Sequence, residues 1–160
     1  MSSMMTGRKP IPRKERIDMY RDYCNELQQY DADPAPWDMR QALGCCENYM
    51  RDKAFEWIDI YQDGVLCGFL VIGYDLPNHG EGVYICEAYV KPGYRRNGLM
   101  SDAVRSKLRS KKGKIYLSIF DKNVYAQEFW GALLRDCRAG MMYQEVINEG
   151  SGLTEYTFEI

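Results

Sequence analysis

The spacing of apolar residues changes from a helical period to a strand period about fifty residues into the chain. Apolar positions at helical spacing predict helices over residues 15–30 and 37–50, separated by the proline-containing segment 31–38. Alternating apolar and polar residues then predict three successive strands, at 55–62, 65–74 and 83–90. The first two strands form an antiparallel hairpin in this prediction, because Asp63-Gly64 between them is a two-residue turn signal.

Helices and strands alternate in the second half of the chain. The pattern predicts helices over 98–109 and 123–135 and strands over 114–120, 141–147 and 153–160. The full order, α-α-β-β-β-α-β-α-β-β, predicts an α+β fold (an α/β mixed sheet). We expect a single domain over residues 15–160, preceded by a basic N-terminal arm over residues 1–14.

Composition narrows the possible function classes. The chain has 160 residues, of which 46% are hydrophobic and 28% charged, values typical of one globular domain. Its formal net charge of −2 argues against a nucleic-acid partner bound by a uniformly basic surface. No apolar run is long enough for a membrane helix, and the basic N-terminal residues lack the apolar stretch of a signal peptide. We therefore expect a cytoplasmic protein with no membrane partner.

The cysteines and the single histidine do not form a metal-binding motif. None of the six cysteines forms a C-x-x-C pair, so no metal is expected. Five of the six lie in apolar periodic segments, which indicates buried thiols in a reducing compartment. His79 lies in a loop with glycine and proline, where we expect a solvated side chain without a catalytic role.

The segment after the third predicted strand is basic and leads directly into a helix. Residues 91–114 contain nine Lys or Arg and one Asp, a net charge of +8, and the rest of the chain therefore carries −10. Within this segment Arg95-Arg96-Asn97-Gly98 precedes the helix, whose first backbone N–H groups are free to bind an anion. These features predict a phosphate-binding turn. For Arg105, Lys107 and Arg109, further along, an ordinary solvated helix face is an equally good interpretation.

Two motifs on either side of the next strand are similar to one known family. V-x-P-x-Y-R-x-x-G spans residues 90–98, and N-x-x-A-x-x-F spans residues 123–129. With the order of the elements, they resemble the GNAT superfamily of acyl-CoA-dependent N-acyltransferases from Glu15 to the end of the chain. The resemblance implies acetyl-CoA as cosubstrate, with its pyrophosphate on the backbone amides of the turn. Met100 departs from the family pattern, which has Gly or Ala there. The implied cofactor-binding residues are Tyr89, Val90, Arg95, Arg96, Asn97, Gly98, Leu99, Met100, Ser101, Asn123, Ala126 and Trp130.

The resemblance also implies a geometry for the acyl group. The strands at 83–90 and 114–120 would be parallel and splay apart, so that their unpaired backbone groups bind the pantetheine arm. Backbone amides near Tyr89 and Val90 would then stabilise the oxyanion formed from the thioester.

Three residues are candidates for acid–base chemistry. Glu87 is the first choice as general base or as the group that binds the substrate ammonium, and Tyr84 and Glu81 are weaker alternatives. A solvent-facing strand glutamate is the competing interpretation of Glu87. The general acid is open, because Trp130 occupies the position where many family members carry a tyrosine. Water, Tyr89 or Tyr143 could protonate the thiolate, or the thiolate could leave unassisted.

The acceptor is predicted to bind near the connection between the first two helices. Asp31 and Asp33 beside Trp37 would suit a cationic amine, although a solvated acidic loop is an equally good interpretation. The leading hypothesis is an N-acetyltransferase that transfers acetyl from acetyl-CoA to a primary amine of a small-molecule or peptide acceptor. The alternatives are a non-catalytic acyl-CoA-binding module and an acetyltransferase acting on a tRNA-borne amine. The resemblance also makes a homodimer a further expectation.

Overall fold

The computed structural model describes residues 13–160, and its elements follow the predicted order. The helices are α1 (Arg13–Leu27), α2 (Met39–Arg51), α3 (Leu99–Leu108) and α4 (Val124–Asp136). The strands are β1 (Phe55–Gln62), β2 (Val65–Tyr74), β3 (Val83–Val90), β4 (Lys114–Phe120), β5 (Gly140–Asn148) and β6 (Leu153–Glu159). The predicted first helix is shorter at its C-terminal end, because residues 28–30 tighten into a 3-10 turn. Of the predicted basic arm, residues 1–12 lie outside the described part, and the last two residues belong to α1.

The strands form one six-stranded mixed sheet in the order β1-β2-β3-β4-β6-β5. All neighbours are antiparallel except β3 and β4. One core, which includes Ile72 and Leu134, lies between the sheet and helices α3 and α4. A second core, which includes Phe69 and Cys46, lies under α1 and α2. Because β2 is buried on both faces, its sequence is almost continuously apolar, and the predicted α+β architecture is confirmed.

Strands β3 and β4 separate part of the way along their length. They pair in parallel at only three positions, the last being Ile85 with Leu117, although β3 continues to Val90 and β4 to Phe120. Beyond these pairs the backbone edges of the two strands face a gap instead of each other. The V-shaped opening that the resemblance implied is therefore confirmed.

A β-bulge in β3 changes which side chains face which helices. In the pairing with β2, Val71 lies opposite Glu87 but Ile72 lies opposite Ile85, so Cys86 is an extra residue. Ile85 packs into the core under α3 and α4, whereas the Glu87 side chain reaches tyrosines of α1 and α2. Strict alternation would have placed Glu87 on the same side as Ile85. The bulge therefore brings the carboxylate to the α1–α2 side of the sheet.

Candidate active site

Two cavities lie on either side of the gap between β3 and β4. The α2-side cavity has a volume of about 580 Å³ and is lined by α1, α2, β3 and β4, with Glu87, Tyr84 and Ser118 among its polar groups. The α3-side cavity has a volume of about 570 Å³ and lies at the N-terminal end of α3. Six residues line both cavities: Tyr23, Leu27, Ala88, Asn123, Ala126 and Trp130. The two spaces therefore adjoin where the strands separate.

The α3-side cavity is built around the start of α3. Gly98 is the N-cap residue, with a φ of 74° in the left-handed region that glycine adopts most easily. The Asp102 amide donates to the Gly98 carbonyl, which is the first hydrogen bond of this α-helix. The N–H groups of Leu99, Met100 and Ser101 precede that bond and lack acceptors within the helix. This cavity therefore has donors and a positive helix end suited to a phosphate group.

The guanidinium of Arg95 is held by protein groups at the edge of this cavity. It donates to both carboxylate oxygens of Glu26 on α1, at 2.8 and 3.0 Å, and its Nε donates to the Val90 carbonyl at 2.6 Å. It also lies over the Tyr89 ring, 5.5 Å from the centroid. The side chain therefore connects the turn to α1, and because Arg95 also lines this cavity, its role in cofactor binding stays a prediction.

The remaining basic residues of the segment divide between the turn and the far end of α3. Arg96 also lines the cavity and has a φ of 69°, an uncommon left-handed conformation for a residue other than glycine. Asn97 donates to the Tyr94 carbonyl and to Gln62, and it is not among the residues that line the cavity. Arg105 and Lys107 form ion pairs with acidic residues of α4 and β1, which favours the surface interpretation for both.

Residues of α4 form the wall shared by the two cavities. Asn123 caps this helix, because its side chain accepts a hydrogen bond from the Ala126 amide at 3.2 Å. Trp130 is only 8% exposed and lines both cavities while it packs into the core, so it belongs to the core and to the cavity wall at once. Met100 is similarly buried and fills space behind the first turn of α3.

The α2-side cavity contains a carboxylate surrounded by tyrosine hydroxyls. Glu87 accepts hydrogen bonds from Tyr20 at 2.8 Å, Tyr23 at 2.6 Å and Tyr49 at 3.0 Å. Tyr20 and Tyr23 share one face of α1 because they are three residues apart. Burial raises the pKa of Glu87, and the three hydroxyl donors act in the opposite direction without cancelling that effect.

Burial also raises the pKa of each of these three tyrosines, and the charge of Glu87 adds to the effect. The hydroxyls of Tyr20, Tyr23 and Tyr49 therefore remain protonated donors at neutral pH. None of the three was predicted from the sequence as a site residue, because a tyrosine at helical spacing is more often part of a core. The only available signal was the number of tyrosines in the first two helices.

A second polar group in this cavity connects Tyr84 to β4. The hydroxyls of Tyr84 and Ser118 are 2.7 Å apart, and both residues line the cavity. Burial raises the pKa of Tyr84 to about 12. His79 packs against this group, with its ring centroid 4.8 Å from those of Tyr84 and Tyr116 and its Nε2 2.8 Å from Glu155. The expectation of a solvated histidine is therefore wrong: loop 75–82 folds back over the sheet.

The acidic loop between α1 and α2 is only partly at the cavity. Trp37 lines it, but Asp31 and Asp33 are not among the lining residues. Asp31 accepts a hydrogen bond from the Trp37 indole, and Asp33 accepts one from the Ala35 amide. Burial acts to raise the pKa of Asp31, but its hydrogen-bond donors outweigh that effect and hold the pKa below its usual range. Both aspartates therefore shape the loop in this structure, and their contact with a substrate stays a prediction.

The two tyrosines predicted as proton donors to the thiolate lie in different parts of the structure. Tyr143 lies on the edge strand β5, where it is exposed, and it lines neither cavity. Tyr89 lines the α3-side cavity, with its ring under Arg95. Neither side chain lies among the residues common to both cavities.

Residues 13–160 show neither a metal cluster nor a membrane helix. In this part of the chain, no three His, Cys, Asp or Glu side chains lie close enough together to hold a metal ion. No helix described here has both the length and the apolar character needed to cross a bilayer. All six cysteines are free thiols, of which Cys24, Cys46 and Cys67 are buried.

Comparison with known proteins agrees with this architecture. The sequence model of the acetyltransferase (GNAT) family matches residues 16–133, and the chain belongs to this family of acyltransferases. No curated protein sequence matches the chain.

Solved structures share the fold at low sequence identity. An acetyltransferase from Thermus thermophilus superposes with a TM-score of 0.66 at 14% identity, covering 94% of each chain. The yncA acetyltransferase from Salmonella typhimurium, solved with its cofactor acetyl-CoA, has a TM-score of 0.62 at 15% identity, covering 95% of this chain and 91% of its own. Spermidine N-acetyltransferase from Vibrio cholerae, in complex with CoA and spermine, has a TM-score of 0.62 at 13% identity, covering 95% and 92%.

Proposed function

We propose that the protein is an N-acetyltransferase that transfers an acetyl group from acetyl-CoA to a primary amine of a small molecule or peptide. The observation that carries this proposal is the meeting of two chemically different cavities at the gap between β3 and β4. One cavity offers the N-terminal end of a helix, and the other offers a carboxylate. These are the groups required by an anionic acyl donor and a cationic acceptor.

The α3-side cavity suits the CoA part of the donor. The pyrophosphate would bind the free amides at the start of α3, beside Gly98 and Arg96. The pantetheine arm would lie along the unpaired edges of β3 and β4, where it takes the place of the missing strand pairing. Solved neighbours with acetyl-CoA or CoA bound support this assignment of the cosubstrate.

The thioester carbonyl would lie near the C-terminal end of β3. Backbone amides at Tyr89 and Val90 are the candidate donors to the oxyanion of the tetrahedral intermediate. Arg95 contributes indirectly, because its bond to the Val90 carbonyl and its ion pair with Glu26 fix the chain at this point.

The α2-side cavity suits the acceptor amine. Glu87 would attract the ammonium form and remove a proton to produce the nucleophilic neutral amine. The raised pKa of Glu87 brings the carboxylate nearer to neutral pH, which improves a general base. Aromatic rings of Tyr20 and Trp37 in the same wall favour a cation. A polyamine is one candidate of this class, since one neighbour was solved with spermine.

The free thiols and the buried positions of several cysteines support a reducing compartment, which we propose is the cytoplasm. Homodimer formation also remains a proposal.

The decisive experiment compares Glu87→Gln with the wild-type enzyme. CoA release is measured with a panel of spermine, a lysine-containing peptide and an aminoglycoside, and acetyl-CoA affinity is measured by calorimetry. We expect turnover to fall by roughly a hundredfold or more, in the range of general-base catalysis, while acetyl-CoA affinity changes little. Acetyl-CoA binding by the wild-type protein without turnover on any amine would instead favour a non-catalytic acyl-CoA-binding module.

A further inference from the structure

The departing CoA thiolate needs a proton, and Trp130 of α4 does not supply one. Trp130 stands at the position where the family resemblance led us to expect a tyrosine, and an indole N–H does not ionise at neutral pH. The proton source must reach the place where acceptor and thioester meet. That place is the boundary between the two cavities, which is defined by the six residues that line both.

Only one of those six residues carries an acidic proton. Leu27, Ala88 and Ala126 are apolar, and Asn123 and Trp130 bear only N–H groups. Tyr23 is the exception, because its phenol lies at this boundary and donates to Oε1 of Glu87 at 2.6 Å. A single side chain thus lies between the base of the acceptor cavity and the site of the leaving group.

The hydrogen bonds to Glu87 also indicate which carboxylate oxygen receives the proton of the substrate amine. Oε2 already accepts from Tyr20 and Tyr49, whereas Oε1 accepts only from Tyr23. Because a carboxylate oxygen has two lone pairs, Oε1 retains an acceptor site for the N–H of the amine. The proton taken from the amine is therefore placed on the oxygen that contacts Tyr23.

We propose that Tyr23 is the general acid of the reaction and returns the acceptor proton to the leaving group through Glu87. This inference rests on the proposed acetyltransferase function. The first proton, which Glu87 takes from the ammonium form, passes to solvent before the chemical step. The neutral amine then attacks the thioester carbonyl, and its N–H proton passes to Oε1 of Glu87 as the C–N bond forms. When the C–S bond breaks, Tyr23 gives its hydroxyl proton to the sulfur and takes the proton from Glu87. Amide and CoA thiol leave, and both side chains are restored without further proton exchange with solvent after the neutral amine has formed.

The energetics of this relay are favourable despite the high pKa of the phenol. Burial raises the pKa of Tyr23 well above its usual value, and the negative charge on Glu87 raises it further. Protonation of Glu87 by the amine removes that charge just before the thiolate forms. Across the whole relay the proton moves from a carboxylic acid to a thiolate, and a thiol has the higher ordinary pKa of about 8.5.

The test compares Tyr23→Phe with Tyr20→Phe as a matched control. Both variants remove one hydroxyl donor from Glu87, but Tyr20 lines only the α2-side cavity. With the best amine of the panel, we expect Tyr23→Phe to lower kcat by roughly a hundredfold, the lower range for general acid catalysis, and Tyr20→Phe to lower it much less. Slow hydrolysis of acetyl-CoA, in which water replaces the amine, gives the same comparison without any acceptor.

A change of leaving group distinguishes a general acid at Tyr23 from a residue with a merely structural role. With p-nitrophenyl acetate as acyl donor, the phenolate leaves without protonation, so the Tyr23→Phe defect should largely disappear while the Glu87→Gln defect persists. Equal losses in Tyr23→Phe and Tyr20→Phe, or the same Tyr23→Phe defect with both acyl donors, would overturn the proposal. Absence of amine acetylation by the wild type would overturn the proposed function instead, and the hydrolysis comparison would still decide the role of Tyr23.

Discussion

A negative charge at position 98 should weaken acetyl-CoA binding. Two matched substitutions of Gly98 can separate the effect of this charge from the effect of adding a side chain. A Cβ atom at this position would have no atom within 4 Å, so a small side chain fits without a clash. The left-handed φ of 74° disfavours most residues, but Asn and Asp tolerate this region better than others. Gly98→Asp and Gly98→Asn therefore impose similar backbone strain and differ mainly by one charge.

The size of the effect follows from the position of Gly98. Two unit charges 4 Å apart interact by about 1 kcal/mol in water and about 4 kcal/mol near a partly shielded protein surface. Gly98 is exposed and lies beside the free amides of α3, so its environment falls within these limits. Relative to Gly98→Asn, Gly98→Asp should weaken acetyl-CoA binding by roughly five- to several hundredfold.

Calorimetric titration of both variants with acetyl-CoA, in low salt and in about 1 M salt, provides the measurement. The difference between them should shrink at high salt, because the screening length falls from about 10 Å at 0.1 M to about 3 Å at 1 M. Circular dichroism checks that both variants are folded. Equal affinities of the two variants for acetyl-CoA at low salt would refute the assignment of the pyrophosphate to this turn.

Two further substitutions test the acceptor site and the sheet. Tyr49→Phe removes a hydrogen-bond donor that lowers the pKa of Glu87, so this pKa should rise. The rising limb of the plot of kcat/KM against pH should then move to higher pH, and an unchanged limb would exclude Glu87 as the titrating base. Gly68→Ala would place a Cβ 2.4 Å from the Tyr89 carbonyl oxygen, which forces β2 and β3 apart. Denaturant unfolding should show a loss of roughly 1–3 kcal/mol, typical of overpacking, and wild-type stability would contradict the close approach of these strands.

The order of elements and the turn before α3 could be predicted from the sequence because they depend on local signals. Hydrophobic period, the Asp63-Gly64 turn and the basic segment around Gly98 each act over a few residues. The predicted helices and strands accordingly occur in the structure in the same order, with bounds that differ by a few residues.

The details of the site depended on contacts between distant parts of the chain. The sequence around Arg95 predicts a basic turn, but it does not show that Glu26, 69 residues away, lies beside the guanidinium. The sequence around His79 indicates a solvated loop, because nothing local shows that this loop returns to Glu155 of β6. In both cases the partner is supplied by tertiary structure, which a local pattern does not encode.

For the tyrosines around Glu87, the sequence pattern predicts burial in the core but not the contact with the carboxylate. Tyr20 and Tyr23 fit the apolar face of an amphipathic helix, and they do pack in the core under α1. Their hydroxyls acquire a further role only because the β3 bulge turns a carboxylate toward them. Each of these tyrosines thus buries its ring in the core and donates its hydroxyl to the carboxylate of the site.

The extra residue in β3 makes the site sensitive to how the strand pairs as well as to its composition. Replacing Cys86 by another small residue would keep Glu87 beneath α1 and α2 as long as the bulge persists. If every residue of β3 were retained but the bulge were lost, Glu87 would lie on the same side as Ile85, toward the apolar layer under α3 and α4. Deleting Cys86 would instead place Glu87 directly after Ile85 and leave it facing α1 and α2. A sequence comparison of β3 must therefore treat a bulged strand and a regular strand one residue shorter as equivalent placements of this carboxylate.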